Sequence, residues 1–553
     1  MILATQESIK EYTEKGCWGN KTLLDSFREH AALTPDRVAI CDPLNKETLV
    51  GRAPDRITYR DFAQAVDSTA TALAAAGLGK DDVVMVQMPN CWELAMLYLA
   101  ISQAGGVISP MPMQWRAKEM GYVADLAQAK AIITVKDFHG FSHLGMAKEV
   151  QQSVPSVKHV FTYADVRRMI DEKPDPAVAK IPVDANDIFS ICWTSGTEAY
   201  PKGCPLSHNN WRCQSSLAQA GGCAAGDVIL TAGPLVNMAA VGTVYVPWLL
   251  MGGTMVLHHP FDPMLLLKQM VEERINYTLL VPAVVNLILK HPAAAQFDLS
   301  AIKAITVGSA PPSLWSMEEF KNRWNVNIGN IWGQNEGTAI ISGIEDVPDT
   351  GRRVDQFPRY GAPGAKWSVP VTEFIKTKIV DPSGAELTGE EDVGELLYKG
   401  PNVIPGYFKR PDLSTTAFDA EGYFRTGDLF QIKGDRYLKF FDRAKDIIIR
   451  GGFNISAQEV ENVLLGHPAI QDVAAVGMAD EDLGERTCVY VVPKAGQSVD
   501  LQSAVGFMKE MGVAVYKLPE RLEVVEAIPR NPVGKILKKN LRADIAEKMK
   551  KES

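Results

Sequence analysis

Short apolar runs recur along this chain from about residue 35 to 335, and helix-length stretches separate them. The runs include Val83–Met88, Ala131–Val135, Val228–Ala232, Thr254–His258, Tyr277–Val281 and Ala304–Gly308. Between them lie amphipathic stretches such as Tyr59–Gly77 and Trp92–Gly105. Such alternation predicts parallel α/β sheets covered by helices. At 553 residues the chain is too long for one core, so at least two domains are expected.

The texture changes after about Gly337. Short strands punctuated by Pro, Gly and Asp follow at Thr372–Val380, Gly394–Lys399 and Arg436–Phe441, which suggests a smaller β-rich subdomain. The charged connector Asp442-Arg443-Ala444-Lys445-Asp446 comes next. Beyond it a βαβ-like pattern resumes, with helices at Gln458–Gly466 and Leu501–Met511 and strands at Val473–Gly477, Cys488–Val492 and Leu522–Val525. The boundary falls close to Lys445, giving domains 1–442 and 443–553.

Val228 to Leu257 contains no Asp, Glu, Lys or Arg, but Gly233-Pro234, Pro247 and Gly252-Gly253 interrupt it. It reads as strand, loop, buried helix, turn, strand rather than a membrane span. Met1 to Lys15 is charged throughout and has no apolar h-region, so no signal peptide is expected. A net charge of −9 disfavours a nucleic-acid binder. Eight cysteines without a C-x-x-C spacing argue against zinc and disulfide frameworks and make a reducing, cytoplasmic setting the default.

One loop carries chemistry. Directly behind the apolar strand Ile188–Trp193 stands Thr194-Ser195-Gly196-Thr197-Glu198-Ala199-Tyr200-Pro201-Lys202-Gly203. Hydroxyls and backbone N–H groups donate hydrogen bonds, glycine allows close approach to an anion, and lysine adds charge, all of which suit phosphate. The loop is not a G-x-x-x-x-G-K-[ST] phosphate loop, and by itself it reads equally as a strand-to-helix turn.

Six further segments join it in order. They are Gly308-Ser309-Ala310-Pro311-Pro312, Trp332-Gly333-Gln334-Asn335-Glu336, Tyr423-Phe424-Arg425-Thr426-Gly427-Asp428-Leu429, Asp442-Arg443-Ala444-Lys445-Asp446, Gly451-Gly452-Phe453-Asn454-Ile455 and Pro529-Arg530-Asn531-Pro532-Val533-Gly534-Lys535. With them the chain resembles, over nearly its whole length, the adenylate-forming superfamily of acyl- and aryl-CoA synthetases, adenylation domains and firefly-type luciferases. The resemblance implies an α/β fold: a large N-terminal domain of two α/β subdomains plus a small β-rich subdomain, followed by a small mobile α+β C-terminal domain. Two departures stand out. The family loop reads T-S-G-T-T-G-x-P-K-G, whereas Glu198 and Ala199 occupy the second Thr and the next Gly here. Asn335 stands for the Thr of the family's aromatic-G-x-T-E. A carboxylate at 198 repels phosphate unless it faces solvent or a metal; Asn335 keeps hydrogen-bonding capacity.

The resemblance also implies an activity. ATP and a carboxylic acid give acyl-AMP and pyrophosphate, and a thiol then gives a thioester and AMP. Charge crowding between carboxylate and phosphates dominates the first barrier, so positioned cations and donors are needed. By resemblance, Lys535 bridges the carboxylate and the α-phosphate. Glu336 is the Mg2+ carboxylate. Thr194, Ser195, Gly196, Thr197 and Lys202 hold the pyrophosphate end. Gly308, Ser309, Ala310 and Pro311 line the adenine, with Trp332 on its other face and Gly333, Gln334 and Asn335 beside it; for Trp332 a core role competes. Asp428 accepts both ribose hydroxyls and Arg443 contacts ribose or phosphate. Lys445 is the hinge about which the C-terminal domain turns. One orientation delivers Lys535; the other brings Gly451 and Gly452 to the site as a pantetheine channel. Lys517 is a candidate for the nucleotide end of CoA, or an ordinary solvated lysine.

The acid pocket, by resemblance, draws on Asn237, Met238, Val241, Val307 and Gly333. Segment Pro234–Gly242 carries no charge, which disfavours an α-amino acid and fits an apolar or aromatic monocarboxylate. Asn237 either meets a ring hydroxyl, as in dihydroxybenzoate-type aryl-acid ligases, or caps a helix. Glu14–Asn20 and Tyr516–Pro519 also look like that branch and like cyclohexanecarboxylate and medium-chain acyl-CoA ligases. The expected partners are ATP, Mg2+, CoA and a cyclic, aromatic or medium-chain acid; a homodimer is left open, and no nucleic acid or integral membrane segment is expected. Two rivals stand: an aryl-acid adenylating enzyme that loads a carrier-protein phosphopantetheine, and a non-catalytic acyl-AMP-binding protein motivated by Glu198 and Ala199.

Overall fold

The computed structural model describes residues 1–194, 200–451, 453–480, 482–530 and 536–552, the side chains of Ala295 and Asn454 apart. The chain divides into two compact units, 1–377 with 398–424, and 378–397 with 425–553.

The first unit contains two sheets. One runs in the order Ala339–Ser342, Asn327–Gly333, Ala304–Val307, Tyr277–Leu280, Val228–Thr231, Thr254–Leu257, Val38–Cys41, Arg56–Thr58. Its interior pairings are parallel and only its two edge strands run antiparallel. The other runs Gly203–Ser207, Ile188–Trp193, Val107–Pro110, Val83–Gln87, Ala131–Thr134, His159–Thr162, parallel except for its first strand. The six expected strands are therefore present, each one residue shorter at the carboxyl end. Residues of both sheets share one core, which also takes in helices Tyr59–Ala75 and Trp92–Gln103 and the turns of 238–251. Two further cores cover the outer faces.

That layering corrects one expectation. Trp92–Gln103 is not amphipathic in place: all twelve of its residues are buried. Lying between two sheets, it has no solvent face, and its one acid, Glu93, is met by Lys46 (3.0 Å), Tyr163 (2.7 Å) and Arg167 (3.1 Å) instead of water.

The segment 228–257 folds as strand, loop, helix, turn and strand, as expected. Its helix opens with an α turn at Met238–Ala240, widens to a π turn at Val241–Tyr245 and closes as Val246–Met251. Pro247 follows the widened turn, where its missing N–H costs little. Among the described residues no helix is long and apolar enough to cross a membrane. His139 and His143 have a spacing that on one helix suits a metal. However, His139 precedes the helix with φ 47°, and His143 Nδ1 is bonded to Gln87 Oε1 at 2.9 Å.

The β-rich portion is a sheet in the order Tyr437–Arg443, Phe424–Lys433, Val393–Lys399, Lys376–Val380, Glu386–Leu387. The strand expected from Thr372 starts only at Lys376, because Pro370–Phe374 forms a 3-10 turn closed by Thr372 Oγ1 on Val369 O (2.6 Å). Further along, Ile470–Asp480 and Gly484–Pro493 pair antiparallel, and Arg521–Val524 lies parallel to the latter. The βαβ-like expectation thus holds for one crossover, through helix Leu501–Glu510. The link 481–483 is too short for another. Alternate residues of the long pair split between two faces: Val473 and Ala475 pack on helices Ala457–Leu464 and Leu501–Glu510, Ala474 and Val476 on Lys538–Glu552.

Candidate functional site

Strands Ile188–Trp193 and Gly203–Ser207 are antiparallel, with Trp193 opposite Gly203. The loop behind the apolar strand is therefore a hairpin connection and not a strand-to-helix turn. Its neck is closed by Thr194, whose N–H donates to Lys202 O (3.0 Å) and whose Oγ1 accepts from Lys202 N (3.3 Å). Ser195, Gly196, Thr197, Glu198 and Ala199 lie outside the described residues.

Beyond the neck, Lys202 Nζ sits 5.2 Å from the centroid of the Tyr407 ring. The Tyr407 hydroxyl donates to Glu336 Oε1 at 2.8 Å. Glu336 is 9% exposed, and its carbonyl accepts from Ile404 N at 3.0 Å. Phe408 N donates to Gly203 O (2.9 Å), which fixes the segment carrying Tyr407 against the hairpin. Lysine, phenol and carboxylate thus meet at one corner. No group of three or more His, Cys, Asp or Glu is placed to cage a metal among the described residues. One buried carboxylate fits a hard divalent ion that takes most of its oxygens from nucleotide phosphates and water.

Asn335 ties this corner to the expected acid pocket. Its Oδ1 accepts from Met238 N (2.9 Å) and its Nδ2 donates to Trp193 O (3.1 Å). The amide spans two segments that one threonine oxygen, nearer the backbone, is less suited to bridge. Asn237 caps the helix, accepting from Ala240 N at 3.3 Å. Met238 and Val241 are buried behind it. Val307 does not join them. It is the last residue of Ala304–Val307, and its side chain packs in the outer core with Leu280 and Ile328, whereas Met238 and Val241 belong to the core between the sheets.

Gly308 follows that strand; a Cβ there would stand 2.9 Å from Ile331 Cγ2. Ser309 has φ 73°, a left-handed conformation costly for a residue with a side chain. Ser309 and Ala310 are exposed and Pro311 half-buried, Trp332 is only 8% exposed, and Gly333 is open to solvent. Gln334 N donates to Thr338 O at 3.0 Å, closing the turn that presents Asn335 and Glu336.

The second unit assembles its own set. Asp428 and Arg443 are cross-strand neighbours, with Arg443 Nε 3.7 Å from Asp428 Oδ1 and the Asp428 side chain 6% exposed. Thr426 Oγ1 donates to Leu396 O (2.7 Å) and accepts from Asp428 N (3.1 Å), holding the Thr-Gly-Asp turn. Lys445 lies in a 3-10 turn, Ala444–Asp446, directly after the strand ending at Arg443. Burial, and then the neighbouring Arg443 charge, hold its ammonium below the usual lysine range. Arg542 donates to Lys445 O (3.0 Å) and to Asp446 Oδ1 (2.7 Å). Gly451 turns the Ile448–Arg450 and Phe453–Ile455 hairpin with φ 54°, which glycine adopts freely. Lys517 is not simply solvated: both Glu459 oxygens accept from its Nζ at 2.7 Å. Gly452 and Lys535 lie outside the described residues.

Sequence reasoning missed three things. Tyr407 had no signal, since a tyrosine becomes informative only once it meets Glu336. Asp442 was quoted within a motif without a task; burial raises its pKa while it accepts from Ser456 Oγ (2.9 Å) and Gln458 N (3.1 Å). Lys46 carries no signal in the sequence, since a lone lysine is ordinarily exposed, yet it is fully buried.

Residues 27–408 match the AMP-binding enzyme family, and 459–535 match the AMP-binding enzyme C-terminal domain. The chain is 31% identical to the medium-chain fatty-acid–CoA ligase of Escherichia coli (strain K12), over 97% of this chain and 93% of that protein. It is 29% identical to 2,3-dihydroxybenzoate-AMP ligase of Bacillus subtilis (strain 168), over 98% and 97%. ATP-bound MatB from Rhodopseudomonas palustris has the same fold, with a TM-score of 0.82 at 25% identity, covering 96% of this chain and 99% of that one. The chain belongs to the AMP-binding enzyme family and is an adenylate-forming acid ligase.

Proposed function

We propose that the protein is an AMP-forming acid–CoA ligase for a cyclic, aromatic or medium-chain monocarboxylic acid. The acid's carboxylate attacks the α-phosphorus of ATP, pyrophosphate leaves, and the thiol of CoA then attacks the acyl carbonyl with AMP as leaving group. The observation that carries the reading is the corner where Lys202, Tyr407 and Glu336 meet at the neck of the hydroxyl-rich loop.

Lys202 and Thr194 receive the pyrophosphate end, and Ser195, Gly196 and Thr197 line its path. Glu336, oriented by the Tyr407 hydroxyl, holds Mg2+, which when bound supplies positive charge to phosphate oxygens. Asp428 takes the ribose hydroxyls, with Arg443 alongside. Gly308 to Pro311, Trp332, Gly333 and Gln334 surround the adenine. Asn237, Met238, Val241 and Gly333 face the acid, and the uncharged segment 234–242 supports an acid without an ammonium group. Residues 443–553 turn about Lys445, presenting Lys535 for adenylation and Gly451 and Gly452 for thioester formation. CoA rather than a carrier protein is supported by the medium-chain fatty-acid–CoA ligase relative. The carrier-loading reading is supported by the 2,3-dihydroxybenzoate-AMP ligase relative.

Acid-dependent pyrophosphate release across an acid panel tests the first half-reaction; thioester formation with CoA and with a holo carrier protein separates the two acceptors. Lys535→Ala loses adenylation by about a hundredfold or more and keeps thioester formation from supplied acyl-AMP. Equal losses in both half-reactions refute the turning domain.

A further inference from the structure

Tyr200 stands two residues before Lys202, on the carboxyl side of the phosphate loop. Its side chain is 47% exposed, yet its ring stacks on Tyr122 with centroids 4.5 Å apart and planes at 24°. Tyr122 belongs to helix Ala117–Ala127, which is anchored by the buried Met120, Val123 and Ala124. The Tyr122 hydroxyl accepts from Arg410 Nη1 at 3.3 Å. Arg410 is itself held by Asp412, with Nη2 to Oδ2 at 2.6 Å and Nε to Oδ1 at 2.9 Å. Lys118 Nζ lies 6.0 Å from the Tyr200 ring centroid on the same helix.

Pro201 comes next and is buried. Its ring fixes φ, so the position of Tyr200 passes to Lys202 with little slack. The stack therefore links a rigid helix to the lysine at the loop neck. The loop sequence departs from the family pattern, with Glu198 and Ala199 where the pattern has threonine and glycine.

We propose that Tyr122 is a positioning residue for phosphate handling, holding the carboxyl-side stem of the loop through Tyr200, with Arg410 fixing the hydroxyl of Tyr122. This rests on the adenylation reading above. Tyr122 touches no substrate; it sets where Lys202 stands before ATP arrives.

The test is a double-mutant cycle in the full chain with Tyr122→Ala, Tyr200→Ala, both together, and Tyr122→Phe. ATP affinity is read by equilibrium titration, and KM and kcat by acid-dependent pyrophosphate release. Each alanine variant is expected to weaken ATP affinity and raise its KM about five- to tenfold, the range of a lost ring pair. The double variant does no worse than the weaker single, and Tyr122→Phe stays within about twofold, since it keeps the stack. Thioester formation from supplied acyl-AMP is unchanged. Unaltered ATP affinity in Tyr122→Ala, losses that multiply in the double variant, or equal losses in both half-reactions overturn the brace. A wild-type protein that binds ATP but releases no pyrophosphate with any acid removes the ligase reading; the ratio of ATP affinities still decides the brace.

Discussion

Two corners of the first unit are built from the same parts and differ in how far their lysine is buried. At one, Lys46 Nζ lies 5.7 Å from the Trp92 ring centroid, and the Tyr163 hydroxyl donates to Glu93 at 2.7 Å. At the other, Lys202 Nζ lies 5.2 Å from the Tyr407 ring centroid, and the Tyr407 hydroxyl donates to Glu336 at 2.8 Å. The first corner is closed. Lys46 and Glu93 are 0% exposed, and Lys46 also meets Asp42 (2.6 Å) and Asp55 (3.1 Å). The second stands at the neck of a loop, with Lys202 half-buried. In the closed corner charges satisfy one another and fix helix Trp92–Gln103, whose first N–H donates to Asp42 (2.8 Å). In the other, the lysine keeps partial exposure at the hairpin neck while Glu336 is buried beneath the Tyr407 hydroxyl. Burial of the lysine, more than residue type, separates the two corners.

Removing each lysine is the sharpest way to break that comparison. Lys46→Met leaves Asp42 buried without its cation and Glu93 with Arg167 alone, and is expected to cost about 3–5 kcal/mol of stability by denaturant unfolding. Burial, and then the Glu93 charge, already push Asp42 up to about 7. Lys202→Met unfolds within about 1 kcal/mol of the parent but releases pyrophosphate about a hundredfold more slowly. If Lys46→Met is as stable as the parent, the closed corner is no clamp.

Acid stresses the closed interior first. His208 is buried, accepts from Leu23 N at 3.2 Å through Nδ1, and burial pulls its pKa down to about 3. The unfolded chain takes up this proton near pH 6.5 while the folded chain does not. The stability this group contributes is complete above that pH and falls as pH drops toward 3, by up to about 1.4 kcal/mol per unit. Denaturant midpoints at pH 7 and 5.5 measure it; His208→Gln flattens the slope, and an unchanged slope contradicts the assignment.

The smallest effect comes from the two hydroxyls. Tyr163→Phe costs about 1–2 kcal/mol of stability and leaves activity alone, since it takes away one of three donors to the buried Glu93 carboxylate. Tyr407→Phe also takes a donor from a buried carboxylate and costs a similar amount of stability, but in addition it raises the Mg2+ concentration needed for half-maximal pyrophosphate release. A raised Mg2+ requirement in both variants, or in neither, erases the distinction between the corners.

Much of the fold is legible in residue order. The strands at 83, 131, 228, 254, 277 and 304 are continuous apolar runs bounded by turns, a local signal that survives folding because neighbouring strands and helices bury them on both faces. The helix at 92–103 was misread because apolar content, and not its spacing, records burial on every side. The parallel and antiparallel pairing near the end of the chain depended on link lengths of a few residues. At the candidate site, Asp428 and Arg443 are separated by 15 positions and become partners through strand register, where Asp428 stands opposite Arg443. Asn335 looked like a mild replacement for threonine; its bonds to Met238 and Trp193 give it a strut's task that no local pattern contains.

The sequence by itself determined the α/β class, the interrupted apolar stretch at 228–257, and the family to which its ordered motifs belong, because periodicity and short motifs are local properties of a chain. Only the tertiary structure decided which lysine is walled in by carboxylates and which stands beside a loop. Val307 turned to the outer core and Tyr407 to Glu336 for the same reason: burial and hydrogen bonding between segments far apart in sequence depend on how sheets and helices stack, and that stacking fixes solvent access, which sets the cost of every charge.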